Sequence, residues 1–343
     1  MTKVIQILLL ILVSISFSQS NDNYNYGGGP NSFYQSFQTP RETAMGGTGI
    51  SSAEGHLAYL WNSACMFNNF KKNYAPNKFS VILGTNSVLG NQTLGMGGIL
   101  SDNFSVGGVL RKEKGENTAW LLGAGILYKN YDNVIETEIN VNNEVVFKDY
   151  NKNRYNEGRI SIFYGNETEN LTIGFSGCYK SSGFYDNRGY GFDLGLLMPS
   201  GGFLFSDSSS HGFNIKIDKD NINSQIRYGA GSTFIKKFGN KGSYLSFVID
   251  MNSGSFMNSI IKSGFELKNN IFFFATGADY LVEYKLNRSW SIGGGLDIPW
   301  KERIVKVALS YSGEFKNELS KYFFLVSSPI KISLILTGRE KER

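Results

Sequence analysis

From Asn77 nearly to its end, the chain alternates apolar with polar or small residues. Leu171, Ile173, Phe175 and Tyr179 alternate with Thr172, Gly174, Ser176, Cys178 and Lys180. Tyr190, Phe192, Leu194, Leu196 and Met198 then alternate with Gly191, Asp193, Gly195 and Leu197. Val305, Val307, Leu309 and Tyr311 do the same, as do Ile330, Ile332, Leu334 and Leu336. A period of two gives every strand one apolar and one mixed polar face. A chain built this way must close or stack its sheet so that all the apolar faces are covered, by protein or by lipid.

The pattern predicts strands at 79–86, 91–100, 104–112, 118–129, 156–165, 170–180, 189–198, 211–218, 224–236, 243–252, 258–267, 270–280, 288–298, 303–313 and 321–337. Segments of about ten residues match tilted membrane-crossing strands. Fifteen candidates conflict with the even number found in single-chain bacterial barrels. The expectation is therefore 14 strands, or 16 if the 132–150 stretch adds a hairpin. Short turns are expected at Ser101-Asp102-Asn103, Asn166–Asn170, Ser200-Gly201-Gly202 and Asn269-Asn270, and longer loops at 130–155 and 181–188. Tyr128, Tyr131, Tyr179, Tyr185, Tyr190, Tyr280, Tyr284 and Trp290 fall near strand ends, where aromatic girdles sit. A soluble sandwich would share the alternation. The strand number, the long meander and outward faces rich in Leu, Ile, Phe and Tyr favour an all-β, transmembrane antiparallel barrel.

Composition agrees. The 343 residues include 40 Gly, 26 Phe and 19 Tyr but only 6 Pro. Past the leader, no run of 18 apolar residues exists to make a helical span. The start, MTKVIQILLLILVSISFSQS, has Lys3, an apolar core and Ser16-Phe17-Ser18 before Gln19, which reads as a cleaved export signal over 1–18. The expected address is the outer membrane of a Gram-negative-type bacterium. A net charge of +5 without a basic stripe argues against nucleic acid. Cys65 and Cys178 form no framework; they either pair or stand as unrelated buried thiols.

Ahead of the alternating region, Pro40–Ala64 shows neither period. It packs Gly46, Gly47, Gly49 and Gly55 among small residues and ends in Trp61-Asn62-Ser63-Ala64. It reads as a compact, glycine-dependent coil that plugs the lumen, with Met45, Gly46, Gly47, Gly49, Trp61, Asn62 and Ala64 as hatch residues. The organisation is then signal peptide 1–18, arm and hatch 19–76, barrel 77–338 and charged tail 339–343. Charges at alternate strand positions should face inward, since the lipid face would cost a few kcal/mol each. These are Arg159, Lys180, Asp193, Asp250, Lys262, Glu266, Asp297, Lys306 and Lys331, which either line a solute path or pair with one another and the plug.

Catalytic chemistry is hardly visible. His56 and His211 are the only histidines, with no HExxH, paired CxxC or calcium loop, so no metal, cofactor or catalytic residue is expected. A barrel hydrolase would need His211 beside a serine and an orienting group, and Ser208-Ser209-Ser210 reads as a turn. Glycine doublets such as Gly293-Gly294-Gly295 lie inside strands, so no phosphate loop is implied.

Several motifs together resemble the PorV/PorQ family, related to the long-chain fatty acid transporters. They are Asn31-Ser32-Phe33, Pro40-Arg41, Ala44-Met45-Gly46-Gly47, Gly49, Ile50-Ser51 and Trp61-Asn62-Ser63-Ala64, followed by the strand Gly191–Leu197, Gly264-Phe265-Glu266, Ser289–Leu296 and Val305–Ser312. The resemblance implies a barrel of about 14 strands with its N-terminal segment in the lumen. It implies one of two roles. In the first, the protein assists type IX secretion or surface attachment, with secretion-machinery or secreted proteins held at the outer loops. In the second, it conducts hydrophobic compounds, with Met45, Leu57, Leu60 and Trp61 lining an apolar pocket. Outer-membrane lipid is a partner in both. Two departures stand out: Asn62-Ser63-Ala64 replaces Asn-Pro-Ala, and the chain ends in Arg339–Arg343 rather than an aromatic residue.

Overall fold

The structure, a computed structural model, describes residues 40–54, 58–69, 79–89, 101–115, 118–131, 137–139, 145–147, 155–168, 170–182, 187–202, 205–220, 224–239, 243–254, 257–269, 271–282, 286–300, 303–314 and 330–338. The expected signal peptide, arm and charged tail lie outside these residues, as does the candidate strand 91–100.

The strands are β1 (Phe79–Leu89), β2 (Ser101–Gly115), β3 (Thr118–Tyr131), β4 (Thr137–Ile139), β5 (Val145–Phe147), β6 (Tyr155–Glu167), β7 (Thr172–Ser182) and β8 (Asn187–Gly201). They continue with β9 (Ser208–Asp220), β10 (Ser224–Lys237), β11 (Tyr244–Gly254), β12 (Met257–Asn269), β13 (Phe272–Leu281), β14 (Leu286–Trp300), β15 (Arg303–Glu314) and β16 (Ile330–Gly338). Fourteen of them form one closed antiparallel barrel, each pairing with its sequence neighbours. The ring closes where β1 meets β16, with Leu83 opposite Leu336 and Leu89 opposite Ile330. β4 and β5 stand apart as a two-stranded hairpin in the β3–β6 connection. The ring therefore closes at fourteen without 91–100, and the 132–150 stretch supplies a hairpin outside the barrel.

Side-chain exposure follows the predicted parity. Along β8, Gly189, Gly191, Asp193, Gly195 and Leu197 are buried inward, while Tyr190 and Phe192 are exposed outward. Ile126, Ile162, Phe175, Ile217, Phe274, Ile292 and Leu309 are likewise exposed on their strands. In water such an apolar belt, described over β3 and β6 to β15, would be untenable, so lipid is its solvent. Tyr179 faces Tyr190 across β7 and β8, and the Trp290 ring lies 5.5 Å from Tyr311. These aromatics sit toward the strand ends, as an interfacial girdle requires.

Several boundaries differ from expectation: Asn166, Glu167 and Asn269 are strand ends rather than turn residues, and three larger shifts occur. Ser101, Asp102 and Asn103 are strand rather than turn, paired with Val88, Ser87 and Asn86. β7 and β8 extend so far that only 183–186 separates them, so no long loop exists at 181–188. β8 also runs through Ser200 and Gly201, moving that turn to later residues. In each case polar residues continue a ladder whose backbone hydrogen bonds favour extension, so composition alone mistook strand ends for turns. At the end where β2 leads to β3 every strand connection is short, while the other end joins β1 to β2, β3 to β6 and β15 to β16 by longer stretches and the remaining pairs by short ones.

Candidate functional site: a hatch clasped inside the barrel

The hatch begins with α1 (Pro40–Ala44), whose proline suits a first helical position. The helix stops at Gly46 and Gly47, both left-handed with φ of 72° and 76°, a conformation that favours glycine. The N–H of Gly47 donates back to the Glu42 carbonyl at 2.7 Å, closing the turn. Two 3-10 segments, Ala58–Leu60 and Ser63–Asn69, complete the hatch. Trp61 lies over the first turn: its indole N–H donates to the Gly47 carbonyl at 3.3 Å, and a Cβ at Gly49 would strike its ring. The two halves are further tied by Asn62 Nδ2 donating to the Ile50 carbonyl at 2.8 Å.

Polar clasps hold this body to the wall from β8 round to β14. Asp250 on β11 accepts the N–H groups of Gly49 and Ile50, at 2.5 and 2.9 Å. Asp193 on β8 accepts the Ser63 N–H at 3.0 Å and also its hydroxyl. Glu266 on β12 grips the Arg41 guanidinium, at 2.5 Å from Nη2. Ser291 on β14 accepts the Gly46 N–H and donates to the Ala44 carbonyl, both at 3.0 Å. The hydroxyls of Ser51 and Thr233 on β10 meet at 2.7 Å. Lys262 donates to the Gly47 carbonyl at 3.2 Å, while Asn214 and Lys216 on β9 donate to the carbonyls of Trp61 and Leu60. Main-chain groups buried in a lumen need such partners.

Wall glycines let the backbones touch. A Cβ at Gly264 would lie 2.6 Å from the Met45 carbonyl oxygen, and one at Gly277 would overlap the Met45–Gly46 peptide. The interior glycines thus serve close approach of the hatch.

Apolar packing falls into two separate clusters. Met45 and Ala44 pack with Val248, Phe273, Ala275 and Ala308. Tyr59, Leu60 and Met66 pack with Ala119, Leu121 and Leu127 of β3 and Leu197 of β8, with Trp61 against them. The single pocket expected from Met45, Leu57, Leu60 and Trp61 therefore does not form: Met45 belongs to one cluster, Leu60 and Trp61 to the other, and Leu57 lies outside the described residues. The reason is the fold of the hatch, whose first half turns toward β13–β15 and whose second half lies against β6–β8, where side chains of β3 reach its apolar residues.

Of the remaining predicted lumen charges, Asp297 receives Lys268 Nζ at 2.8 Å. Arg159 sits opposite Lys180 in the ladder, Lys306 opposite Asp297 and Lys331 opposite Ser310, but the side chains of Arg159, Lys180, Lys306 and Lys331 lie outside the described residues. Ala64 and Asn62 are fully buried, and Asn62 Oδ1 accepts the Ala64 N–H at 3.0 Å. Cys65 and Cys178 are free and buried. Sequence reasoning missed Ser291, Thr233, Asn214, Lys216, Lys268 and the Asp218–Arg227 ion pair. Strand parity offered the only signal for them.

His211 does have a serine partner, Ser232 Oγ at 3.0 Å from Nδ1, with Phe234 edge-on to the ring. The pair lies on the outward-facing side of β9 and β10. Among the described contacts no carboxylate or amide orients the imidazole, as a triad would need. His56 lies outside the described residues.

No family model matches the chain, and no curated protein matches it in sequence. Among solved structures, the toluene transporter TodX of Pseudomonas putida is similar at 14% identity, covering 89% of this chain and 99% of that one, with a TM-score of 0.49. The Acinetobacter baumannii outer membrane protein Omp33 is similar at 8% identity, covering 77% and 98%, with a TM-score of 0.40. A Rh. blastica porin follows at 10% identity, 76% and 99% coverage, and a TM-score of 0.39.

Proposed function

We propose that this is a non-enzymatic outer-membrane channel for hydrophobic small molecules, kept shut by its own N-terminal segment. The observation that carries the reading is the unequal way the hatch is held among the described residues. From β8 to β14 it is bound by buried hydrogen bonds and charges, which are costly to break. Against β3 it is held by an apolar seam of Tyr59, Leu60, Met66, Leu121 and Leu127. An apolar solute can replace the side-chain contacts of Leu60, Met66, Leu121 and Leu127 without orphaning a polar side chain, so the seam is where such a solute gains entry. In this reading lipid bathes the outer face, and a compound of aromatic or acyl character is the cargo.

The test is uptake of a radiolabelled monoaromatic hydrocarbon and of a fatty acid into proteoliposomes holding the full chain. Uptake above protein-free vesicles supports the channel, and Leu121→Asp, which puts a carboxylate into the seam, should depress it. Equal entry into vesicles with and without the protein would refute it.

A second reading, assistance to type IX secretion as the PorV/PorQ resemblance implies, is favoured by one feature. The β3–β6 connection carries its own hairpin at the end where the longer connections gather. Purification from the native envelope in mild detergent distinguishes the two: secretion proteins at fixed ratio support this reading, and a co-extracted apolar compound supports the first.

A further inference from the structure

We propose that Glu42 is a proton-responsive latch, keeping the hatch docked when protonated and loosening it when ionised; this rests on reading the hatch as a displaceable closure. Glu42 is 1% exposed, yet it is poorly partnered. Its Oε1 reaches Arg41 Nη1 at 3.4 Å and the Glu54 N–H at 3.5 Å, both at the long limit, and its buried Oε2 has no hydrogen-bond partner among the described residues. The guanidinium beside it is already committed. Arg41 Nε lies 3.2 and 3.1 Å from the two Glu266 oxygens, and Nη1 donates to the Ser52 carbonyl at 3.1 Å. Three carboxylates, Glu42, Glu54 and Glu266, thus crowd one cation.

Lys268 on β12 also attracts Glu54 and Glu266, but among the described cations only Arg41 acts on Glu42. Tyr244 on β11 donates to Glu266 at 3.4 Å, and Lys268 on β12 is bound to Asp297 on β14. Lys262 is occupied by the Gly47 carbonyl, and Asp279 on β13 accepts from Ser289. β15 and β16, which also pack on α1, carry Lys306 and Lys331, whose side chains lie outside the described residues.

Burial pushes the Glu42 carboxyl up to about 7, with Arg41 opposing and Glu54 adding to the rise. The sign follows. The docked hatch holds this proton more tightly than a hatch in water, so docking is strongest below about 4.5 and weakens as pH rises through about 7.

Cys65, buried in the hatch, is a native reporter. In the full chain carrying Cys178→Ser and reconstituted in vesicles, alkylation of Cys65 by a water-soluble maleimide reads undocking. Dividing by the rate in a Glu42→Gln partner at the same pH cancels the thiol's own ionisation. The ratio should rise roughly tenfold between about pH 5.5 and about pH 7.5. Glu54→Gln, which leaves Glu42 titratable, should move the transition to lower pH. A ratio flat with pH, or a transition that Glu54→Gln leaves in place, overturns the latch. Hydrocarbon uptake separates the two claims: no uptake with a pH-dependent ratio sinks the channel alone, and uptake with a flat ratio sinks the latch alone.

Discussion

Asp250 receives the main-chain N–H of Gly49 at 2.5 Å, across two hundred residues of sequence, and the same oxygen takes the next N–H, from Ile50. The hatch is therefore recognised largely through its backbone, by carboxylates fixed on rigid strands. Replacing Asp250 with Ala strands both N–H groups in a buried site, which should weaken docking by about 3 kcal/mol. Protease sensitivity of the hatch in folded, vesicle-bound protein should increase, while the barrel band on unheated gels stays. An unchanged digestion rate would show that the clasp is not needed.

Ser63 occupies the place where the resembling family carries proline, and the exchange has a structural counterpart. Its N–H and hydroxyl both go to Asp193. Ser63→Pro removes both donors from a buried carboxylate, and should loosen the hatch by about 3 kcal/mol despite pre-setting the turn. Ser63→Ala, which keeps the N–H, should cost less. Cys65 alkylation rates rank the two variants against the parent.

Gly277→Val places a side chain against the Met45–Gly46 peptide, while Gly201, at the end of β8, has open space around it. The valine should expel the hatch or destabilise the protein by about 1–3 kcal/mol. Gly201→Ala should leave unfolding temperature and Cys65 protection as they were. Equal behaviour of the two variants would contradict the close approach.

Ile162 is 62% exposed near the middle of β6. A lysine there faces lipid and should cost about 2–4 kcal/mol of insertion. Ile162→Lys should lower the folded fraction recovered in vesicles, with a smaller loss in micelles. A full yield in vesicles would argue against a lipid-facing belt.

Much of the barrel was legible because alternation reports a physical choice at each residue, lumen or lipid, and a charge such as Asp193 or Glu266 can afford only one. Strand ends were less legible. Ser101-Asp102-Asn103 has turn composition, yet its ladder with Asn86, Ser87 and Val88 decides the matter. The clasps were the least legible part. Ser291 and Thr233 become partners of Gly46 and Ser51 only when the barrel closes, and no local pattern marks a serine as one that will meet a backbone 245 residues away. The division of the hatch's apolar residues into two clusters is equally non-local.

The most direct test of the closed channel is a reversible lock. The hydroxyls of Ser51 and Thr233 are 2.7 Å apart, so cysteines at both positions can bridge hatch and wall. In a chain carrying Ser51→Cys and Thr233→Cys, with Cys65 and Cys178 replaced by serine, hydrocarbon uptake should be abolished on oxidation and restored by reduction. Uptake that is the same with the bridge formed and broken would contradict the account, because the solute would then be crossing without moving the hatch.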